Sequence, residues 1–151
     1  MVLAGFLLPS IGVFVSAQHL SEDTNFTPIH TGTDFPVGWE DLEYSSFPPN
    51  QLRLLYPAMT SGESVEMAGN GPFPHIQFLV DSGESYDSYM DFSSRLVERG
   101  YVVAVHRQSY DSTDFEEILE QIVDVHEVLQ EINNSSSSPV VGSFGQFDLT
   151  H

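Results

Sequence analysis

The chain has no cysteine and no lysine, and four arginines are its only strongly basic side chains. Without cysteine it has no disulfide, no thiolate nucleophile and no cysteine-ligated zinc or iron–sulfur site. Opposite the four arginines stand 22 acidic residues, for a formal net charge of −18. That charge excludes nucleic-acid binding through phosphates and docking on anionic membranes. The acids are spread along the chain, which favours a solvated acidic surface over a field that attracts cationic substrates or metal ions.

The length of 151 residues suits one domain, or part of a larger one. Residues 1–17 are apolar and uncharged, too short for a membrane span of about 20 residues. Val-Ser-Ala at 15–17 fits the small-residue pattern before a signal-peptide cleavage site, although the usual positive start is missing. We therefore expect a signal peptide over 1–17, a polar N-terminal arm over 18–49 and a folded domain over 50–151. The mature chain would be secreted or extracytoplasmic, with no stable membrane span.

Asn-x-Ser/Thr triplets begin at Asn25, Asn133 and Asn134. In exported proteins such triplets are acceptors for N-glycosylation, but they are also common by chance. The triplets alone therefore add little to the expectation of export.

The most informative segment is 71–106, where two apolar runs flank a helical stripe. The runs at 75–80 and 101–105 have the apolar, β-branched character of buried parallel strands. Between them, an apolar stripe predicts a helix over 86–98, with Gly100 in the place of a C′ glycine. Together they predict a right-handed βαβ crossover, with ligands binding at the carboxyl ends of the strands.

Further elements lie on both sides of this unit. A strand is predicted at 51–58, followed by a loop at 59–70. A second helix is predicted over 113–132, and 147–151 is interpreted as the start of another strand. The apolar face of the second helix consists of Phe115, Ile118, Leu119, Ile122, Val125, His126, Leu129 and Ile132. The order β–β–α–β–α–β predicts an α/β fold, the N-terminal part of a doubly wound, mostly parallel sheet that is truncated.

Three short motifs carry a resemblance to a known family. They are Leu-Tyr-Pro at 55–57, Gly-Pro-Phe-Pro at 71–74 and Gly-Tyr-Val-Val at 100–103. With them the chain is similar to the α/β-hydrolase superfamily, and most of all to its secreted esterases, which include cutinase-like polyester hydrolases, chlorophyllases and dienelactone-hydrolase-type enzymes. The resemblance covers 51–108 well and 109–151 loosely. It implies a serine hydrolase of small or polymeric carboxylic esters, without metal or organic cofactor.

The resemblance also implies where the catalytic groups lie. Residues 147–151 (Phe-Asp-Leu-Thr-His) are similar to the lead-in of the nucleophile elbow Gly-x-Ser-x-Gly. The serine, and the acid and histidine that follow it in chain order, would then come after residue 151. The chain is accordingly expected to be an N-terminal fragment that is inactive by itself. It would contribute one oxyanion donor, the backbone N–H of Ser82, with Tyr86 either lining a substrate subsite or packing the start of the helix.

Two alternatives to an active esterase stay open. Val80-Asp81 stands where the family has His-Gly or Pro-Gly, and Asp81 brings an acid to a site that must stabilise negative charge. This departure favours a non-catalytic, acidic α/β-hydrolase-like binding or scaffold protein. An unrelated flavodoxin-like domain would need a complete five-stranded sheet, whose strands the sequence does not show.

Other reactive side chains have simpler explanations. His106, Ser109 and Asp111 are the residue types of a catalytic triad, but triads are built from separated segments. The acids over 81–91 lack the glycine and the final glutamate of an EF-hand. His126 has no second ligand at i±4 on its helix, which favours a packed or half-buried histidine over a metal ligand.

Overall fold

A computed structural model of the chain describes residues 34–46, 49–80, 84–107, 115–143 and 145–149. The elements in chain order are strands β1 (Val37–Ser46), β2 (Pro49–Pro57), β3 (Gly62–Glu63) and β4 (Phe73–Val80), helix α1 (Asp87–Glu98), strand β5 (Val102–Arg107), helix α2 (Phe115–Asn134) and strand β6 (Phe147–Asp148). The predicted signal peptide, residues 1–17, lies outside the described residues.

The strands form one mixed six-stranded sheet in the order β3-β1-β2-β5-β4-β6. Strands β4 and β5 are parallel, from the pair His75–Val102 to the pair Val80–Arg107. Strand β2 is antiparallel to both of its neighbours, β1 and β5. Strands β3 and β6 add two parallel residue pairs each, to β1 and β4 respectively. The α/β class agrees with the prediction. The sheet is mixed because β2 runs opposite to the other five strands, which all run in the same direction. The doubly wound arrangement stays a prediction.

The two helices cover opposite faces of the sheet. Along β5, Val103 and Val105 pack in one core with Val97 of α1. The alternate residues Val102 and Ala104 pack in a second core with α2. All of these side chains are 0% exposed. The apolar run was predicted to be a strand covered on both faces, and β5 confirms this.

Strand β1 lies within the segment that the sequence predicted to be a polar arm. Trp39 packs on the α1 side of the sheet, and Leu42 and Tyr44 pack on the α2 side. Gly38, the neighbour of Trp39, is buried. A Cβ at this position would lie 2.5 Å from Cε2 of Tyr56. The close approach of the Tyr56 ring therefore requires glycine at this point of β1.

The apolar face of α1 agrees with the prediction. In α2 the buried face is rotated about the helix axis relative to the predicted apolar face. In α2 the buried side chains are Gln121, Val125, Leu129 and Ile132. Phe115 and Leu119, which belong to the predicted apolar face, are 60% and 42% exposed. Neither belongs to an apolar cluster of the described residues, so the predicted apolar face is wider than the buried one. Among the described residues, neither helix has the length and apolar character that crossing a membrane requires.

Candidate functional site

The path of the chain through β4, β5 and their helices indicates where in the sheet a ligand would bind. From β4 the chain passes through α1 to β5 on one side, and then through α2 to β6 on the other side of β4. Because α1 follows β4 and α2 follows β5, and the two helices cover opposite faces, the chain leaves the carboxyl ends of β4 and β5 in opposite directions. In α/β sheets a switch point of this kind forms the ligand-binding crevice. The loop after β4, residues 81–86, is therefore the candidate site.

The predicted oxyanion donor, Ser82, lies outside the described residues, as does Asp81. The described flanks define where the loop begins and ends. Val80, at the end of β4, is 1% exposed. On the other side, Ser85 Oγ accepts a hydrogen bond from the Asp87 N–H at 3.2 Å, where α1 begins. The loop thus runs from a buried strand end directly to a helix start.

Tyr86 ties the helical end of this loop to the sheet. Its hydroxyl donates a hydrogen bond to the carbonyl oxygen of Gln51 in β2, with an O–O distance of 2.5 Å. Its ring is half-buried and lies beside the side chain of Arg53, whose guanidinium carbon is 5.9 Å from the ring centroid. These contacts favour the packing interpretation of Tyr86, and its role in lining a substrate subsite stays a prediction.

Arg53 is the centre of a charged and aromatic cluster on the α1 face of the sheet. Its Nε and Nη2 donate to the two carboxylate oxygens of Asp41, each at 2.7 Å. The guanidinium also stacks on Trp39, with 4.6 Å from its central carbon to the ring centroid. The hydrogen bond to Asp41 raises the pKa of Arg53, partly opposed by burial. A bidentate pair stacked on an aromatic ring holds its geometry well, so the cluster braces β1 and β2 beneath Tyr86.

His106 lies on the α2 face of β5, in the same alternation as Val102 and Ala104. It is 0% exposed, and neither ring nitrogen has a hydrogen-bond partner among the described residues. Burial lowers the pKa of His106 to about 4, so the ring is neutral near pH 7. Ser109 and Asp111, its partners in the weighed triad, lie outside the described residues. A fully covered histidine does not offer its nitrogens to a substrate.

Two further polar groups accompany His106, and sequence reasoning missed both. The ring of Tyr44 meets the His106 ring edge-on, with 5.9 Å between centroids. The hydroxyl of Tyr44 and Oε1 of Gln77 are buried, and neither has a hydrogen-bond partner among the described residues. Burial raises the pKa of Tyr44, with smaller contributions from Tyr86 and Asp124. The α2 core thus contains buried polar atoms that no helical or strand period in the sequence reveals.

His75 and His126 come together between β4 and α2, with 5.8 Å between ring centroids. Nδ1 of His75 lies 3.0 Å from the carbonyl oxygen of Asp148, and since a carbonyl only accepts, Nδ1 carries the proton. Burial lowers the pKa of His75, and the hydrogen bond to Asp148 opposes this. His126 accepts from the amide of Gln130 at 2.9 Å. Its half-buried state confirms the prediction from the sequence.

Metal binding finds no support in the described part of the chain. No group of three acidic, histidine or cysteine side chains there is arranged to hold an ion. Of the acids considered for a calcium loop, Asp87 and Asp91 lie on α1, whereas Asp81 lies outside the described residues.

No family model matches this sequence, and no curated protein matches it. The clues to function are thus the residues themselves and the path of the chain around β4.

Proposed function

We propose that this chain is the N-terminal half of an exported serine hydrolase that acts on carboxylic esters, with its serine, acid and histidine encoded after residue 151. The observation that carries the proposal is the position of β6. It begins parallel to β4, in the pairs Phe73–Phe147 and Pro74–Asp148. Its two residues also begin the segment 147–151 that resembles the lead-in to a nucleophile elbow.

The position of the two loops supports this proposal. In α/β-hydrolases one oxyanion donor comes from the loop between a strand and the first helix, and the other follows the nucleophile. Here β4 is the first strand that leads into a helix, and β6 is its direct neighbour. Because β6 is a parallel neighbour of β4, the loops that follow these two strands would lie next to each other at the carboxyl edge of the sheet. Backbone N–H groups from both loops would then reach one oxyanion.

In the part of the chain that the structure describes, the edge of β4 on the side of β6 is mostly unpaired, which supports the proposal that a longer strand occupies the position of β6. Strand β6 pairs only with Phe73 and Pro74, and residues 76–80 have no partner strand on that side among the described residues. A long open edge next to a buried strand is normally covered in native proteins. Continuation of β6 along β4 would pair these backbone groups.

Exposed side chains of α2 lie beside the same edge. Residues seven apart lie on nearly the same side of a helix, so Leu119 shares its side with His126 and Asn133. His126 contacts His75 of β4, and Asn133 hydrogen-bonds to Phe147 of β6. Leu119 therefore lies on the side of α2 that is directed to the open edge. An element that follows the completed strand would cover it, together with Phe115.

The proposed reaction is acyl transfer through a serine ester. The serine oxygen attacks the ester carbonyl, backbone N–H groups hold the tetrahedral oxyanion, the alcohol leaves and water releases the acid. One such donor contributes about 3–4 kcal/mol to the stabilisation of the transition state. The N–H of Ser82 would be one donor, and the residue after the serine would supply the other. The substrate would be a small or polymeric ester, and the reaction requires no metal or organic cofactor.

The first test is the coding sequence downstream of His151. A Gly-x-Ser-x-Gly within about ten residues, followed by an aspartate or glutamate and then a histidine, is required. The longer protein is then treated with a fluorophosphonate, which labels activated serines. The elbow serine should be labelled, and its replacement by alanine should abolish both labelling and aryl-ester hydrolysis. A downstream sequence without that serine defeats the proposal.

The second candidate function is a non-catalytic binding or scaffold protein with the same fold, and Val80-Asp81 is the feature that favours it. In the longer protein, Asp81→Gly restores the residue that the family has before the donor, and Asp81→Asn serves as the control that removes only the charge. The enzyme proposal expects faster hydrolysis of a short aryl ester with glycine than with asparagine. No hydrolysis by any of the three proteins would favour the binding protein.

Export is part of the proposal and has its own test. Expression of the chain in a secretory host should yield a mature protein that starts near Gln18, identified by mass spectrometry of its N-terminal peptide. Retention of residues 1–17 on a protein that stays inside the cell would argue against export.

A further inference from the structure

The C-terminal end of α2 carries two overlapping glycosylation triplets that the sequence cannot separate. Asn133-Asn134-Ser135 and Asn134-Ser135-Ser136 both fit the acceptor pattern. The structure gives the two asparagines very different surroundings. We propose that Asn134 carries an N-linked glycan and that Asn133 does not. The proposal rests on the proposed export and is independent of the esterase activity.

The side-chain amide of Asn133 is already engaged in holding β6. Its Oδ1 accepts the Phe147 N–H at 2.8 Å, and its Nδ2 donates to the Phe147 carbonyl oxygen at 3.3 Å. Its own carbonyl oxygen accepts the Gly145 N–H at 2.8 Å. Phe147 is 4% exposed, so a sugar on Nδ2 would have to occupy the space in which β6 packs. A glycan at Asn133 is therefore incompatible with the folded chain.

Asn134 and the hydroxyl residue of its triplet, Ser136, are both exposed. Asn134 is the last residue of α2, and Ser136 begins the turn that follows it. The intervening Ser135 is half-buried, and its Oγ lies 3.1 Å from Oγ of Ser137 and accepts the Ser137 N–H at 3.3 Å. The loop thus presents the asparagine and the second serine to solvent while the residue between them holds the turn.

The position in the fold also suits a large substituent. Asn133 contacts Phe147, which pairs with Phe73 at the start of β4. The candidate crevice lies at the other end of β4, after Val80. At about 3.3 Å per residue, the two ends of this strand are about 23 Å apart. A glycan on Asn134 would therefore leave the candidate site open.

The reaction would be carried out by an oligosaccharyltransferase of the secretory pathway, with a lipid-linked oligosaccharide as donor. Nδ2 of Asn134 forms a bond to C1 of the first sugar, and the bond from C1 to the phosphate oxygen breaks. The electron pair of that bond leaves with the lipid phosphate or pyrophosphate. The proton lost from Nδ2 passes to a base of the transferase. The amide keeps one N–H, and no oxidant or reductant is consumed.

The test uses two single serine substitutions that separate the overlapping triplets. Both are made in a Thr27→Ala background, which removes the third triplet, and the whole chain is expressed in a secretory host that adds N-glycans. Ser136→Ala removes the triplet of Asn134 only, and Ser135→Ala removes that of Asn133 only. Glycan is detected as a shift in mobility that peptide N-glycosidase reverses. The enzyme leaves a carboxyl group in place of the amide, and peptide mass spectrometry locates that position.

The background protein and Ser135→Ala should carry one glycan at Asn134, and Ser136→Ala should carry none. Loss of the glycan in Ser135→Ala with retention in Ser136→Ala would identify Asn133 as the acceptor and overturn the proposal. A chain that appears in the medium without a glycan would overturn it too, while leaving export intact. A chain that stays inside the cell with residues 1–17 attached would contradict both export and glycosylation.

Discussion

Replacement of His106 by leucine tests whether this buried ring makes the stability of the fold depend on pH. Burial lowers the pKa of His106 from 6.5 to about 4. In the unfolded chain the ring takes up a proton as pH falls through about 6.5, whereas the folded chain stays neutral until about pH 4. The unfolded state therefore binds more protons within this window, and the free energy of unfolding falls as the pH falls.

The magnitude follows from the difference between the two pKa values. The fall of the His106 pKa from 6.5 to about 4 corresponds to about 3–4 kcal/mol over the whole window, because each pH unit contributes about 1.4 kcal/mol. The contribution of His106 is thus fully present above about pH 6.5, lost progressively down to about pH 4, and constant below that. Three kilocalories is a large part of the stability of a domain, which is typically about 5–15 kcal/mol.

The assay is urea unfolding at closely spaced pH values, with the wild type and His106→Leu measured together. Leucine has a similar volume and has no unpartnered nitrogen, so the variant should be close to the wild type in stability at pH 7. At pH 4 it should be more stable than the wild type by about 3 kcal/mol. Val105→Ala is the control, because it lowers stability by a similar amount at every pH. Equal pH slopes for the wild type and His106→Leu would refute the argument.

Three other substitutions test the packing of the fold, each by urea unfolding. Gly38→Ala should lower the free energy of unfolding by about 1–3 kcal/mol, because the new Cβ meets the Tyr56 ring; an unchanged value would show that β1 does not approach Tyr56 so closely. Leu129→Ala removes a side chain that is 0% exposed and should lower the free energy of unfolding by about 2–5 kcal/mol. A loss below about 1 kcal/mol, closer to what surface substitutions cause, would show that α2 does not pack on the sheet. Asp41→Asn should cost only about 0.2–1 kcal/mol, since the Asp41 side chain is 51% exposed, and 1 M salt should reduce the difference.

The central βαβ unit could be predicted from the sequence because its signals are local. The apolar run at 75–80 lies within β4, the β-branched run at 101–105 lies within β5 except for its first residue, and the helix predicted at 86–98 is α1. Gly100 has a positive φ of 90° directly after the helix, as its place in the pattern indicated. In each of these cases a few neighbouring residues carry the whole signal.

Strand β1 could not be predicted in this way. Glu40, Asp41 and Glu43 interrupt its apolar residues, and the local sequence has the composition of a solvated arm. What stabilises the strand is twelve residues away, where Arg53 of β2 pairs with Asp41 and stacks on Trp39. Neither the strand period of 2 nor the helix period of 3.6 can indicate a partner at that separation in the sequence.

The apolar face of α2 shows a different kind of error. The period was identified correctly, but which apolar residues are buried depends on what the sheet offers opposite them. Gln121 is buried and Phe115 is exposed, the reverse of what hydrophobicity alone indicates. The side occupied by Leu119 faces the edge of β4, where the described residues supply no strand. If a strand completes this edge, as proposed, the element that follows it would also cover the apolar side chains of α2 that are exposed here.

The open edge and the candidate site belong to the same strand, and this links folding to activity. Over 76–80, β4 has no partner strand on the side of β6 within the described part of the chain, and the candidate site lies at the carboxyl end of those residues. A segment that completes this edge would end beside the loop after Val80. The residue that follows this segment would then lie next to the loop after Val80, within reach of an N–H of that loop. If the elbow follows β6, the segment that closes the sheet also brings the nucleophile, so the unpaired sheet cannot be active. Pairing of the edge would then be the step that creates the catalytic site.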